Sequence, residues 1–558
     1  MVDNFGIWSS AQTPKSNGNG NGTAYGIKKL RELILELAVR GKLVPQDPND
    51  EPTAILLRRI AKEKKKHSPE EIKPGKEPFQ LPSGWEWVTI GEVAQHNSGK
   101  TLDAARNTGS FQEYITTSNL YWGYFVLGDL RKMRIRDEEV DKCTAKRGDL
   151  LVCEGGEAGR AAVWNYPYDI CFQNHIHRIR LYDGINSYYV YRCFQRINHN
   201  GEIDLYRKGV GISNMSGKSL ASVPIPLPPL AEQHRIVAKV DELMVLCDQL
   251  EQRQNDNDKI HESLVETLLT ALVENESDEA WQRIQEHFDT LFVTEESVDQ
   301  LKQTILQLAV MGKLVPQDPN DEPTSMLLQK IAKEKARLIK EGKIRKQEPL
   351  PEIKEEENPF LLPNGWKWTR LNDAIDVRDG THDTPKEAFG PNTYPLVTSK
   401  DFCNGLIEFG QAKRISEIDH LEISKRSLVE KYDILFSMIG GNLGNQVMVY
   451  DDTRFSVKNV ALFKYYDKSL TTPYFIKKLL EYIAFDLQTK ANGGAQPFVS
   501  LRFLRSIVVG LPPIAEQHRI VAKVDELMAL CDNLKARLRE VQTTQVQLAN
   551  AVVEQMLM

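Results

Sequence analysis

Several residue groups in this chain are of types that could do chemistry. Gly155-Gly156-Glu157-Ala158-Gly159 is glycine-rich, and loops of that kind can present backbone N–H groups to a phosphate. It departs from the GxGxxG spacing, however, and lies between the strand-like runs DLLVCEG and AAVWNY, so a turn is expected. His175 and His177 alternate along another strand-like run with no third ligand nearby, which does not make a metal site. Glu232, Asp241 and Glu242 recur as Glu516, Asp525 and Glu526, beside His234 and His518, in helical sequence. There they read as a solvated helix face or a docking surface rather than an acid–base pair. The chain has no GxxxxGK[ST] phosphate loop and no Asn/Asp-Pro-Pro-Tyr tetrapeptide of an amino-methyltransferase; Asn358-Pro359-Phe360 is only an echo beside a linker. Its seven cysteines form no CxxC pair and are expected to be reduced thiols. Neither catalysis nor a cofactor or metal bound by this chain is expected.

The positions of these groups follow from a duplication. Residues 228–244 read PPLAEQHRIVAKVDELM, and residues 512–528 repeat them with one Ile-for-Leu change. Each paired proline stops what precedes it. After it, Ile236, Val240, Leu243, Cys247 and Leu250 step by four and three, as do Ile520, Val524, Leu527, Cys531, Leu534, Leu538 and Val541. That is the seam of a helix packing on another helix. The first helix is expected to run from Leu230 to about Val273, its seam continuing through Gln254, Asn257 and His261 to Leu264, Leu268 and Ala271. At ~1.5 Å per residue it would be roughly 60 Å long. GKLVPQDPNDEPT occurs at residues 41–53 and again at 312–324, after a short helix and before a basic one. LPSGWEW at 81–87 is matched by LPNGWKW at 362–368. Each opens about 150 residues of mainly strand-like sequence in which only islands agree, such as Thr117-Ser118 with Thr398-Ser399.

The chain therefore divides into a flexible, Asn/Gly-rich leader (1–26), a helical block (27–80), a variable domain (81–227), a central helical block (228–361), a second variable domain (362–511) and a C-terminal helical block (512–558). The expected class is α+β: two similar domains separated by long antiparallel coiled-coil helices, with pseudo-two-fold duplication and a circular order in which the two terminal blocks complete each other. Charge is nearly balanced, with a net −6, which argues against a free-standing, non-specific DNA binder. No apolar run is long enough to span a bilayer and the N-terminus lacks a secretory signal, so a cytoplasmic protein with no membrane association is expected.

The AEQHRIVAKVDELM repeat, the LPxGWxW openings and the circular block order resemble the specificity subunits of Type I restriction-modification enzymes, over nearly the whole chain beyond the leader. The resemblance implies that 81–227 and 362–511 are target recognition domains, each reading one half of a bipartite, asymmetric sequence in double-stranded DNA. It implies that the helical blocks set the gap and bind two modification subunits, with restriction (motor-nuclease) subunits joining through the complex. S-adenosylmethionine, ATP and Mg would belong to those partners, whose activities methylate adenine or cleave DNA. A non-enzymatic coiled-coil scaffold linking two protein-binding domains is the alternative.

On that reading, DNA contacts are expected from polar and basic side chains on loops. In the first domain these are Lys100, Thr101, Arg106, Ser118, Asn119, Arg160, Ser213 and Asn214. In the second they are Arg378, Thr381, His382, Lys386, Ser399, Lys400, Asn442, Asn445, Asn492 and Gln496. Partner binding is expected at Glu232, Gln233, Arg235, Glu516, Gln517 and Arg519. Trp85, Trp87, Trp366 and Trp368 are expected in the core at each domain entry rather than stacked on a base.

Overall fold

The computed structural model describes residues 8, 25–63, 78–103, 107–182, 184–209, 213–274, 278–491 and 498–558. The chain forms two compact units, one of residues 1–258 with 540–558 and one of residues 259–539. Both ends of the sequence thus belong to one unit, as the circular block order requires. Trp8 is fully buried in the core of that unit, so the expectation of a flexible leader fails at this residue.

In the first unit, helix α1 (Tyr25–Val39) buries Leu30, Leu33, Ile34 and Leu37, the face its spacing marks out. It ends because Gly41 adopts φ +66° and Lys42 N–H reaches back to the Leu37 carbonyl at 2.9 Å, a C-terminal cap that only glycine enters without strain. A Cβ on Gly41 would also fall 2.5 Å from Pro82 Cγ, which ties the GKLVPQDP turn to the LPSGW segment. Helix α2 (Thr53–Glu63) follows, then strand β1 (Glu86–Thr89). Strands β2 (Ala94–Ser98), β3 (Ser110–Ile115), β4 (Arg131–Ile135), β5 (Thr144–Ala145), β6 (Leu150–Cys153), β7 (Ala161–Val163), β8 (Ile170–Phe172) and β9 (Ile176–Leu181) lead to helix α3 (Ser187–His199) and strand β10 (Pro224–Leu227). β2-β9-β6-β7 form an antiparallel sheet, and β4-β3-β8-β5 a mixed one in which β3 and β8 run parallel. β1 pairs with β10, Glu86 opposite Leu227, so the domain's first and last strands close it immediately before Pro228 and Pro229. Helix α4 (Leu230–Glu274) starts there and runs for 45 residues.

The second unit repeats the plan. Helices α5 (Glu295–Val310) and α6 (Thr324–Lys340) precede strands β11 (Lys367–Arg370), β12 (Asp376–Asp379), β13 (Thr393–Val397), β14 (Lys413–Ser416), β15 (Ile434–Ser437), β16 (Gln446–Met448), β17 (Ser456–Val457) and β18 (Val460–Lys464). Helix α7 (Pro473–Ala491), strand β19 (Val508–Leu511) and the 44-residue helix α8 (Ile514–Leu557) complete it. The sheet β12-β18-β15-β16 reproduces the order of β2-β9-β6-β7. The three-stranded sheet β14-β13-β17 reproduces β4-β3-β8, with no counterpart of β5 among the described residues, and β11 pairs with β19. Gly312 repeats the helix stop of Gly41, with φ +71° and Lys313 N–H on the Leu308 carbonyl at 2.9 Å.

Trp85 and Trp366 are buried at the domain entries, as their place beside β1 and β11 suggests. Trp87 and Trp368 are half-exposed and pack on Phe79 and Phe360.

The helix seams depart from the heptad reading in two places. α4 buries Ile236, Val240, Leu243 and Cys247, but beyond its exposed middle it buries Val265 and Leu269, leaving the expected Leu264 49% exposed. A straight helix of 3.6 residues per turn drifts ~20° per heptad from a 3.5 repeat, and the polar stretch around Gln254 and Asn257 offers no knobs to hold the phase. On α8 Val541 is exposed, and burial resumes at Ala549 in the first unit's core.

Candidate nucleic-acid interface and helix-docking residues

The duplicated AEQHR stretch is an internal joint. The Trp85 indole N–H donates to Glu232 at 3.0 Å, and the Gln46 amide, from the GKLVPQDP turn, approaches the same carboxylate at 3.3 Å. Gln233 accepts from Asn186 N–H at 2.9 Å, at the start of α3, and donates to the Pro228 carbonyl. Arg235 pairs with Asp50 at 2.5 Å. The second copy makes the same bonds: Trp366 and Gln317 to Glu516, Thr472 N–H to Gln517, Gln517 to the Pro512 carbonyl and Arg519 to Asp321. Three motifs that are far apart in sequence therefore meet at each helix start. Burial pushes the Glu232 and Glu516 carboxyls above their ordinary range, against the lowering effect of the tryptophan N–H bonds.

This overturns four of the expected partner contacts. Glu232, Gln233, Glu516 and Gln517 are at most 1% exposed, with their polar atoms engaged inside the chain. The helix start must close against its own domain, and these groups are what it closes with. Arg235 and Arg519 remain about one-third exposed but are held by Asp50 and Asp321.

The loops expected to meet DNA fall into three groups. Some of their residues are spent on the fold. The Asn119 Oδ1 accepts from Thr116 N–H and Oγ1, both at 2.9 Å, while its amide N–H donates to the Val126 carbonyl, so its side chain builds a turn and is not free to read a base. Thr381 is buried between strands. Ser213 donates to the Gly156 carbonyl and accepts from Ala158 N–H, and Asn214 pairs through its backbone with Lys208, which pins the 155–159 turn.

A second group is charged or polar but already paired. Lys100 lies 2.8 Å from Glu139, whose carboxyl Arg136 and then Lys100 hold down at about 2. Arg160 donates to the Thr117 carbonyl at 2.6 Å and to Glu157 at 3.2 Å. Arg378 lies on Asp376 at 2.7 Å, and His382 sits between Asp379 at 2.7 Å and Asn459 at 3.2 Å. The third group, Thr101, Lys386, Lys400, Asn442 and Asn445, is exposed, with Ser399 half-exposed; Ser118 is exposed too, but its hydroxyl lies 2.7 Å from Thr116 Oγ1. Arg106, Asn492 and Gln496 lie outside the described residues.

His177, one of the two alternating histidines, is buried, with Nε2 3.2 Å from the Met215 carbonyl and 4.0 Å from Glu154. Gly155–Gly156 forms a short strand pair with Ser213–Asn214, consistent with the turn expected there. No group of three or more His, Cys, Asp or Glu among the described residues could hold a metal ion. Likewise none of the described helices is long and apolar enough to cross a membrane.

Sequence reasoning missed the tip of the loop that Asn119 anchors. Tyr121 and Tyr124 stack with ring centroids 5.1 Å apart and planes 8° from parallel, and they are 38% and 56% exposed. The Arg160 guanidinium lies 5.4 Å from the Tyr121 ring, and Glu157, which holds Arg160, also accepts from Trp122 Nε1–H at 2.6 Å. The aromatic run YWGYF next to the Thr117-Ser118 island was the available signal.

The family model for the Type I restriction modification DNA specificity domain matches residues 82–258 and again 363–543. The Type I restriction enzyme EcoAI specificity subunit of Escherichia coli is 38% identical over 585 aligned positions, covering 99% of this chain and 98% of that protein. The EcoEI specificity subunit of Escherichia coli is 34% identical over 611 positions, with the same coverage of 99% and 98%. The crystal structure of the HsdS subunit from Thermoanaerobacter tengcongensis aligns with 86% of this chain and 98% of its own at 18% identity and a TM-score of 0.43. On the two domain matches and the full-length identity, the chain belongs to the family of Type I restriction enzyme specificity subunits.

Proposed function

We propose that this chain reads a bipartite, asymmetric sequence in double-stranded DNA, one half-site per recognition domain, and catalyses nothing itself. The observation that carries this is two domains with the same four-stranded antiparallel sheet order, each matching the DNA specificity family, whose exposed loops differ in side chains. The domain match favours this over a scaffold for protein-binding domains. The long helices set the spacer between half-sites and present the surface for two modification subunits. Restriction subunits join through the complex, and S-adenosylmethionine, ATP and Mg act on those partners, in the cytoplasm. With 71 Lys and Arg against 77 Asp and Glu, the chain lacks the surplus of cations that tight phosphate binding needs. Strong binding therefore requires the modification subunits to enclose the duplex, and the assembled complex has the steeper salt dependence.

The test is to exchange residues 81–227 for the corresponding domain of another such subunit and map the sites methylated by the assembled enzyme. One half-site changes and the other stays. A simultaneous change in both would refute the one-domain, one-half-site reading.

A further inference from the structure

The two recognition domains carry equivalent hairpins, and only their tips differ. In the first, Asn119 caps Thr116, so Thr116, and not the Thr117 of the sequence match, is the counterpart of Thr398; Leu120 pairs with Phe125, and Val126 N–H donates to the Asn119 carbonyl at 2.8 Å. In the second, Asp401 caps Thr398 through both N–H and Oγ1, at 2.7 and 3.0 Å. There Phe402 pairs with Ile407, and Glu408 N–H donates to the Asp401 carbonyl at 2.9 Å. Gly123 and Gly405 turn the two tips in the left-handed region, at φ +82° and +75°, joined in the second by Asn404 at φ +49°. The bases of both hairpins are sunk in their domain cores through Leu120, Phe125 and Phe402. On this shared frame the tips read Tyr121-Trp122-Gly123-Tyr124 and Cys403-Asn404-Gly405-Leu406. Apart from the glycine that makes the turn, no tip residue is shared.

Shared bonds at the base and divergent chemistry at the tip are what two readers of unlike half-sites require. The first tip is also costly for a bare surface: two parallel phenol rings stand in solvent, held by the hairpin and by Arg160 rather than folded into the core. Rigid, exposed aromatic groups beside a guanidinium suit a nucleic-acid partner, offering hydroxyls to base edges and phosphates and ring faces to bases or thymine methyls. The second tip exposes Asn404 and the 58%-exposed Leu406. An asparagine amide matches the adenine N6/N7 edge, and an aliphatic side chain matches a thymine methyl. Both hairpins lie inside the residues that match the DNA specificity domain.

We infer that hairpins 116–126 and 398–408 are the paired half-site readers, with Tyr121 and Tyr124 contacting duplex DNA in one half-site and Asn404 and Leu406 in the other. This rests on the reading of the two domains as DNA-recognition domains. It moves the contact from Ser118, Asn119, Ser399 and Lys400, which lie at the foot of each hairpin, to the residues at its end.

The experiment uses the full chain assembled with modification subunits, selecting bound duplexes from libraries randomised in one half-site at a time. Tyr121→Ala/Tyr124→Ala is expected to lose about tenfold discrimination at one or more positions of one half-site and none in the other. Asn404→Ala/Leu406→Ala gives the reciprocal result. Tyr121→Phe/Tyr124→Phe, which keeps the rings and so the fold, separates hydroxyl contacts from ring contacts. Unchanged preferences in all three variants would overturn the hairpin assignment, as would a uniform loss across both half-sites. If exchange of residues 81–227 still alters one half-site in the same assay, the failure belongs to the hairpins alone. If that exchange alters neither, the two-reader function itself fails.

Discussion

Reversing Lys535 should unfold the second helical block at lower denaturant, and a second reversal at Asp299 should restore much of the loss. Lys535 on α8 faces α5, where it lies 2.8 Å from Asp299 and 3.5 Å from Glu295, and Arg539 reaches Glu295 at 2.6 Å. In the first block, Arg31 on α1 pairs with Asp248 and Glu251 on α4, at 2.6 and 2.8 Å. The repeat sets Arg31 against Lys302 and Asp248 against Asp532, with the same signs, and Lys302 pairs with Asp532. At the next step the signs are opposite: Lys28 and Glu251 correspond to Asp299 and Lys535. The apolar seam beneath is nearly the same in both blocks, so this ladder is where the two interfaces differ. An α1 docked in the place of α5 would bring Lys28 and Arg31 towards Lys535.

Lys535 is 16% exposed and Glu295 21%, whereas Asp299 is 55% exposed and correspondingly screened. Exposed pairs are worth about 0.2–1 kcal/mol each, and like charges cost similar amounts. Lys535→Glu loses two attractions and gains two repulsions, a total of about 1–3 kcal/mol. Asp299→Lys/Lys535→Glu recreates the sign pattern of the first block and should recover about 1 kcal/mol, with Glu295 still facing a carboxylate. A denaturant-unfolding double-mutant cycle, at low and at 0.5 M salt, measures the coupling. It should shrink with salt, because these charges are near the surface. A coupling below about 0.3 kcal/mol at low salt would refute the idea that this pair distinguishes the blocks.

Three further outcomes follow from buried groups. Glu232 has its carboxyl raised by burial, so its contribution to stability is present below the unfolded-state pKa and is lost as pH rises through the folded-state value. Glu232→Gln should therefore match the parent chain at acid pH and gain on it towards neutral pH in thermal unfolding; a constant difference across pH would count against this. Lys464→Met strands Asp433, which is 1% exposed, with its charge partner gone. It should cost about 3–5 kcal/mol, and Asp433→Asn in the same background should recover part of that. Trp85→Phe removes the indole donor from Glu232 while keeping most of the apolar area; a loss of about 1–3 kcal/mol by chemical unfolding is expected, and none if the bond is dispensable.

The repeats made much of the architecture legible. PPLAEQHR and its copy mark where two domains close and two helices begin, because the proline pair, the helical spacing and the duplication agree on the same boundary. The 1–258 and 540–558 grouping likewise follows from the circular order of the blocks. What Glu232 and Gln233 do was not legible. A carboxylate and an amide in the first turn of an amphipathic helix look like surface chemistry until Trp85 and Asn186, 147 and 47 residues away, are brought to them by the β1–β10 closure. Long-range closure of that kind leaves no local signal.

The candidate site was harder to read for a related reason. Polarity on a loop marks both the residues that build a turn and those that meet a ligand, and sequence alone does not separate the two uses. Asn119 has the side chain suited to an adenine, yet its oxygen and its amide N–H are consumed by Thr116 and Val126. Lys100 and Arg160 have the charge suited to phosphate, but each lies against a carboxylate, Glu139 or Glu157. Tyr121 and Tyr124, whose rings carry apolar area that folding would ordinarily bury, are left 38% and 56% exposed. In a duplicated protein the separation becomes possible by superimposing the copies: a side chain that keeps its bond in both, as Asn119 and Asp401 do, belongs to the frame, and one that changes on an unchanged frame is free to carry recognition. By that criterion the variable chemistry of these two domains lies at the hairpin ends, while the shared threonine caps beneath them serve the fold.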